Sequence, residues 1–347
     1  MKRSLGTLHV GVERVLTGLL AVLAIAALVI TLLWRDRVPL TDIALSPAPV
    51  AAAMHDGVTV TWFGVTTLLF DDGETQILID GFISRPSLAR IVTRRPVTSD
   101  IARINWFLNE YDVRRVAAIV STHSHFDHAM DVGALARRTS AAVLGSASTA
   151  AIALGAGVPD DQVVVAEAGR EYQFGRFTVR LVPGVHAPIG WRGSVPLAGT
   201  VDEPLAPPAP VTAFREGGSY SVYVSHPAGS ALVQASAGIV AGALDEFAVD
   251  TVFLGVGMLE SLGRDYMERY WQATVTATGA DTVIPVHFDD YTQPFGTTRL
   301  APKVLDDFAV TTRLLKQIRQ RWDGDTRICL PAFGVSMPLV MPASTEA

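Results

Sequence analysis

The chain begins with one long apolar run and continues as short apolar segments separated by turn residues. The run occupies residues 15–34 and contains no charged side chain. As a helix it would be roughly 30 Å long, which matches the hydrocarbon thickness of a bilayer. We therefore predict a short tail over residues 1–14, a transmembrane anchor over 15–34, and a linker over 35–57, which is rich in proline and small residues, before a main domain at 58–347.

A cleaved signal peptide or a buried core helix would also give an apolar run. A signal peptide has a shorter apolar region, about 7–15 residues, followed closely by small residues at the cleavage site. Here the first such site, Ala51 to Ala53, lies well downstream, so the pattern favours an uncleaved anchor. Three basic side chains precede the run and two follow it, and this small excess predicts a domain outside the cytoplasm.

From residue 58 onward, apolar segments alternate with turn signals in two similar halves. Strand-like segments cluster first, and segments with helical spacing follow, as at Ile101–Tyr111 and Lys303–Trp322. The nearly all-apolar segments Val116–Thr122 and Thr282–His287 are typical of strands buried on both faces. This order predicts an α/β (α+β) fold in which helices flank two mixed β-sheets.

Two segments carry more particular expectations. The spacing in the last predicted helix directs five apolar side chains toward the core, namely Leu305, Phe308, Leu315, Ile318 and Trp322. Residues 187–212 have no periodicity and many Pro and Gly residues, which is typical of a lid, a binding loop or a solvated surface loop. In this segment Arg192 is a candidate substrate contact, because a guanidinium can bind a carboxylate or a phosphate.

Composition excludes several classes of protein. With 49% hydrophobic residues the chain is not disordered, and with a single cysteine it is not a disulfide scaffold. The net charge of −6 argues against nucleic acid as a partner, since phosphate binding needs a basic face.

The strongest chemical signal follows the predicted strand Val116–Thr122. Four metal-binding side chains, His123, His125, Asp127 and His128, fall within six residues, although the whole chain has only eight histidines. In extended backbone His123 and His125 point the same way, and Asp127 and His128 can face the same space after a turn. Neutral imidazoles and carboxylates are good Zn²⁺ ligands, so the motif predicts a zinc site.

Other candidate residues stand at the ends of predicted strands. His186 follows one strand and His287 ends another, and each is a candidate further metal ligand. Asp80 ends a third strand, where it supports a ligating imidazole, holds a loop or caps a turn. His226 also stands at a strand end, but we expect it to be structural.

The H-x-H-x-D-H motif after a buried strand, with later strand-end histidines, resembles the metallo-β-lactamase superfamily over about residues 58–335. The segments GVTTLLF, ILIDG and IPVHFDD are most similar to the branch of ascorbate-phosphate lactonases and N-acyl-phosphatidylethanolamine phospholipase D-like enzymes. The resemblance implies a four-layer αββα sandwich with one or two Zn²⁺ ions. It further implies that His123, His125 and His186 hold the first metal, and that Asp127, His128 and His287 hold the second.

One position departs from the family pattern. Ser236 stands where the family has an aspartate that bridges both metals, and a neutral hydroxyl is a poor substitute for a carboxylate ligand. We therefore expect the second metal site to be the weaker one, unless Asp289 or Asp290 compensates.

These observations predict a membrane-anchored zinc hydrolase that acts on an ester, a lactone or a phosphodiester, with a small-molecule or lipid-like substrate. Asp127 would orient the nucleophile, while Asp80, Ser236 and Arg192 would support the metal ligands or contact the substrate. The alternatives are a metal-binding or sensing protein on the same fold with little catalysis, and an anchored scaffold without metal. The sequence defines neither the substrate nor the oligomeric state.

Overall fold

The computed structural model describes residues 3–51 and 57–342. Eight α-helices lie within these residues: α1 Arg3–Arg35, α2 Leu88–Val92, α3 Ile101–Glu110, α4 Phe126–Ala129, α5 Val132–Thr139, α6 Ala147–Gly155, α7 Arg264–Trp271 and α8 Phe308–Trp322. The strands are β1 Ser46–Pro47, β2 Thr59–Trp62, β3 Leu68–Asp71, β4 Gln76–Ile79, β5 Val116–Val120, β6 Ala142–Gly145, β7 Val163–Val165, β8 Glu171–Phe174, β9 Phe177–Pro183, β10 Tyr220–His226, β11 Gly229–Gln234, β12 Thr251–Gly255, β13 Thr282–Val286, β14 Arg327–Leu330 and β15 Ser336–Pro338.

The strands form two mixed sheets. One has seven strands in the order β15-β2-β3-β4-β5-β6-β7, and β4 to β7 run parallel. The other has eight strands in the order β1-β14-β13-β12-β11-β10-β9-β8, and β11 to β14 run parallel. Because parallel neighbours end at the same edge, the residues that follow β4, β5, β11 and β13 are candidates for a shared site.

Two hydrophobic clusters hold the layers together. The larger one lies between the sheets and extends to α7 and α8, and it includes Trp62, Phe253 and Trp271. The smaller one packs α3, α5 and α6 on the outer face of the seven-stranded sheet, around Ile104 and Leu135. The chain is therefore a sandwich of two mixed sheets with helices outside, and the predicted two-sheet α/β fold is confirmed.

The last helix is shorter than predicted. The turn at Pro302 is followed by Asp307, whose side chain accepts hydrogen bonds from the backbone of Ala309 and Val310, so α8 begins at Phe308. Leu305 therefore precedes the helix and is 45% exposed, and Trp322, the last residue of the helix, is 42% exposed. The prediction that these two side chains face the core is wrong, whereas the other three are buried: Phe308, Leu315 and Ile318.

The N-terminal part of the chain is also more ordered than the sequence pattern predicts. Helix α1 begins at Arg3, so the predicted tail is helical from that residue onward. The middle of the predicted linker is part of the fold, because Ser46 and Pro47 pair with β14 in parallel. His55, which we expect to be an exposed linker residue, lies outside the described residues.

Candidate metal centre

Three histidines form the first group of potential metal ligands. His123 and His125 follow β5, and His186 follows β9 of the other sheet. Their ligand atoms all lie within 4.8 Å of one another. The Nε2 of His123 lies 3.1 Å from the Nδ1 of His125, so two imidazole nitrogens face each other across the space that a cation would occupy.

Backbone carbonyls fix the orientation of two of these imidazoles. The Nε2 of His125 lies 2.9 Å from the carbonyl oxygen of Pro196, and donation to that oxygen leaves the Nδ1 lone pair directed at His123. The Nδ1 of His186 lies 2.8 Å from the carbonyl oxygen of Ala187, which leaves its Nε2 lone pair free. Both tautomers suit metal binding.

The second group consists of Asp127, His128 and His287, again with ligand atoms within 4.8 Å of one another. The carboxylate Oδ2 of Asp127 lies 3.5 Å from the Nε2 of His128 and 3.3 Å from the Nε2 of His287. His287 follows β13 and adopts a left-handed backbone conformation, with φ of 61°, while its backbone N–H donates to the carbonyl of Val65. The structure thus brings together all six predicted ligands in two groups.

Asp80 holds one histidine of the second group, His128, in place. It is fully buried at the end of β4, and its Oδ2 lies 2.7 Å from the Nδ1 of His128. It also accepts hydrogen bonds from the backbone and hydroxyl of Thr122 and from the hydroxyl of Thr66. Asp80 therefore orients the imidazole of His128 and fixes the start of the motif loop.

The protonation states of the first group and of Asp127 suit a cation. Burial and the neighbouring histidines lower the pKa of His123 well below its ordinary value, and burial lowers the pKa of His186 to about 4. Burial alone would raise the pKa of Asp127, but His128 and His287 outweigh it and hold the pKa below its usual range. The first group is therefore neutral at pH 7, and the second carries a carboxylate.

The two groups lie in a cavity of about 350 Å³, a size suited to a small ligand. Its other walls are largely apolar and come from four separate segments, which contribute Trp34, Leu88, Ile189, Leu197 and Leu305. Tyr291 also lines the cavity, and burial raises the pKa of its phenol, so the hydroxyl stays protonated. The sequence pattern does not indicate Trp34 or Leu88 as part of the site, and the one signal for Tyr291 is its position close after His287.

Ser236, Asp289 and Asp290 all line the cavity, but they make different contacts. Ser236 lines the cavity, and its hydroxyl accepts a hydrogen bond from the backbone of Ala187. Asp289 forms a buried ion pair with Arg85, and Asp290 forms one with Arg37. Arginines hold both carboxylates, and neither aspartate is part of the two donor groups.

The two remaining candidates lie outside the centre. Arg192 is exposed, stacks over Trp191 and is not part of the cavity wall. His226 pairs with Asp72 at 3.3 Å and packs on Phe177, which agrees with its expected structural role.

Residues 60–201, which include Asp80, the His123–His128 motif and His186, match the sequence profile of the metallo-beta-lactamase superfamily. The match covers less than half of the chain. A protein of Myxococcus xanthus named UPF0173 metal-dependent hydrolase is 32% identical over 146 residues, which cover 42% of this chain and 44% of that protein. A Rhizobium etli protein of the same family name is 28% identical over 132 residues, covering 37% and 47%. The chain spans less than half the length of these curated relatives.

Two solved structures are similar at a lower level. Igni18, a metallo hydrolase from Ignicoccus hospitalis, is 14% identical with a TM-score of 0.49, over 81% of this chain and 97% of that one. CmlA, a diiron β-hydroxylase from Streptomyces venezuelae, is 15% identical with a TM-score of 0.49, over 84% and 55%. Similarity at this level says nothing about the reaction or the metal of this chain.

Proposed function

We propose that this protein is a zinc-dependent hydrolase that cleaves an ester, a lactone or a phosphodiester. The observation that carries the proposal is the pair of donor groups, each with three ligand atoms within 4.8 Å, in one cavity. Histidine nitrogen and carboxylate oxygen suit Zn²⁺ at neutral pH. The curated relatives named metal-dependent hydrolases support the same reaction class. The likeness to the lactonase and phospholipase D-like branch stays a prediction.

His123, His125 and His186 would hold the first ion, and Asp127, His128 and His287 would hold a second. A bound divalent ion supplies Lewis acidity and lowers the pKa of water. Asp127, held ionised by its histidine neighbours, accepts a hydrogen bond from the attacking water and orients it. The hydroxyl of Tyr291, held protonated by burial, donates a hydrogen bond to the leaving oxygen as its bond to carbon or phosphorus breaks.

The test combines metal content with turnover. The full chain is purified in detergent, loaded with Zn²⁺, and assayed on 4-nitrophenyl acetate and bis(4-nitrophenyl) phosphate before and after chelation. We expect chelator-sensitive hydrolysis of at least one probe, and loss of both bound metal and activity in His125→Ala. The matched control is His226→Gln, which changes a buried histidine outside the centre and retains both. Retention of full metal content and activity in His125→Ala would overturn the proposal.

Ser236 supports a second candidate function, a metal-binding or sensing protein with little catalysis. With Ser236 in place of a bridging carboxylate, the second group has a single anionic ligand, Asp127. Stoichiometric metal binding with no turnover of either probe would favour this function. Rapid chelator-sensitive turnover would exclude it.

The proposed location is a membrane, with α1 as a single span and the remaining chain outside the cytoplasm. Within the described residues, Leu16–Arg35 is the one segment long and apolar enough to cross a membrane. Such a helix also fits a signal sequence, so the test is the size of the chain recovered from membranes. A product that starts after Arg35 would overturn the anchor.

A further inference from the structure

The apolar helix meets the rest of the chain at the wall of the metal-site cavity, beside Trp34 and Leu305, which are partly exposed and define its mouth. Its Leu16–Arg35 segment has a mean hydropathy of 2.7, and no part of its apolar window is buried. The last turn contacts the domain, where Trp34 forms part of the cavity wall. The end of the helix and the opening of the cavity are therefore at the same place.

Polar contacts fix this junction. The guanidinium of Arg37 lies 2.6 Å from the carboxylate of Asp290 and donates to the carbonyl of Leu300, and both charged side chains are at most 7% exposed. The backbone N–H of Lys303 donates to the carbonyl of Asp36, and their side chains form an ion pair at 2.9 Å. The helix end is therefore attached directly to the wall of the cavity and not through a flexible tether.

Exposed apolar side chains occur on the segments that form the mouth. Val304 and Leu305 are 57% and 45% exposed, next to the junction at Lys303. Trp191 is 82% exposed on the loop that contributes Ile189 to the cavity wall, and Val92 is 69% exposed on the same helix as Leu88. Single exposed apolar residues are common, but these belong to the segments that line one cavity, and the wall of that cavity includes the end of a helix long enough to cross a bilayer.

We propose that the cavity opens onto the surface of a lipid bilayer and that its substrate is an amphiphile with a long apolar chain. This inference rests on the proposed hydrolase function and names its substrate class. The labile polar bond lies at the two donor groups, while the apolar chain lies along Trp34, Leu88 and Leu305 and remains in the bilayer. Water adds across the labile bond, so its hydroxyl joins the acyl or phosphoryl group and its proton joins the leaving oxygen.

Two observations favour an amphiphile over a small polar substrate. The donors occupy one part of the cavity, and a small polar substrate at the donors would leave the apolar walls in contact with water, which is unfavourable. The fixed junction at Arg37 also keeps the donors close to the membrane end of the helix, so a lipid-like molecule reaches them without leaving the bilayer.

The first test measures which face of the protein contacts lipid, without metal or turnover. The full chain, in a Cys329→Ala background, carries a spin label at Val304→Cys or at Val340→Cys, and is reconstituted into phosphatidylcholine vesicles. Val304 is at the mouth. Val340 is a matched valine, 41% exposed, that lies beside Gly229 at the start of β11, the opposite edge of the sheet. Accessibility to oxygen and to water-soluble chromium oxalate is read from the power saturation of each label.

We expect the label at residue 304 to be accessible to oxygen and protected from chromium oxalate, and the label at residue 340 to show the reverse. Equal access of chromium oxalate to both labels, in chain that floats with the vesicles, would overturn the proposal. Failure of the full chain to float with the vesicles would overturn it as well.

The second test addresses the substrate. Vesicles that contain 4-nitrophenyl palmitate are compared with soluble 4-nitrophenyl acetate, and we expect a higher kcat/KM for the long chain. Val304→Asp is expected to lower the ratio of long-chain to short-chain rate about tenfold, because a charge at the mouth opposes contact with lipid, and Val340→Asp leaves this ratio unchanged. An unchanged ratio in Val304→Asp would overturn the proposal. Absence of any chelator-sensitive hydrolysis would instead defeat the proposed function, while the labels still decide the orientation.

Discussion

The substitution Asp80→Asn tests how the second donor group is held. In the structure the carboxylate of Asp80 accepts the Nδ1 proton of His128, which leaves the Nε2 lone pair directed at Asp127. An asparagine amide facing Nδ1 would donate instead of accept. The imidazole then carries its proton on Nε2 and loses the lone pair that a metal needs.

The structure gives the size of the expected effect. Loss of a carboxylate that orients a ligating histidine lowers metal affinity about 10- to 100-fold, or about 1.4–2.8 kcal/mol. The substitution also weakens hydrogen bonds from Thr66 and Thr122 to a fully buried carboxylate. Because asparagine still offers one acceptor oxygen, we expect a loss of about 2 kcal/mol in the free energy of unfolding.

The assay is a competition between the detergent-solubilised chain and a chromophoric zinc chelator, in a His186→Ala background that removes the first donor group. Asp131→Asn is the matched control. Asp131 is also fully buried and accepts hydrogen bonds from the backbone of Ile83 and Ser84, but it is not hydrogen-bonded to any of the six potential metal ligands. We expect the control to lose stability and retain its zinc affinity. Unchanged affinity in Asp80→Asn, or an equal loss in Asp131→Asn, would refute the assigned role of Asp80.

Three further predictions follow from other contacts. Arg37→Ala leaves the buried carboxylate of Asp290 without its arginine partner and is expected to lower the free energy of unfolding by about 3–5 kcal/mol. Denaturant titration in detergent measures this loss, and a loss under about 1 kcal/mol would contradict the buried ion pair. The pKa of His186 is lowered from 6.5 to about 4, so its contribution to the stability of the metal-free chain is complete above pH 6.5 and is lost as the pH falls through about 4. His186→Gln should flatten the stability profile between these values, and an unchanged profile would argue against the shift. Tyr291→Phe is expected to reduce kcat about 10- to 100-fold with zinc content unchanged, and normal turnover would exclude its role at the leaving group.

The sequence pattern predicts the chemistry of the centre better than its surroundings. The six ligands are few in type, and each follows a strand, so strand order alone places them at one edge. The walls of the cavity come from segments far apart in sequence, and no local sequence pattern predicts that Trp34 and Leu88 both line it.

Periodicity also fails where a local contact overrides it. The apolar spacing at residues 303–307 predicts helix, but the Asp307 cap and the turn at Pro302 delay its start, which leaves Leu305 at the cavity mouth. The proline-rich predicted linker similarly becomes a strand at Ser46, because a partner strand, β14, is available more than two hundred residues later. Such pairings depend on the assembled sheets and leave no trace in a short window of sequence.

The donors of each group come from both sheets: His123 and His125 follow β5 of one, and His186 follows β9 of the other. An ion bound there joins the two layers, and any local opening that separates them at this edge also releases it. Binding therefore raises the free energy of such an opening, by about 4 kcal/mol when the concentration of the free ion exceeds its Kd a thousandfold. Slowly exchanging amide protons in β5 and β13, on opposite layers, would then gain protection together, so that the two sheets open as a single cooperative unit.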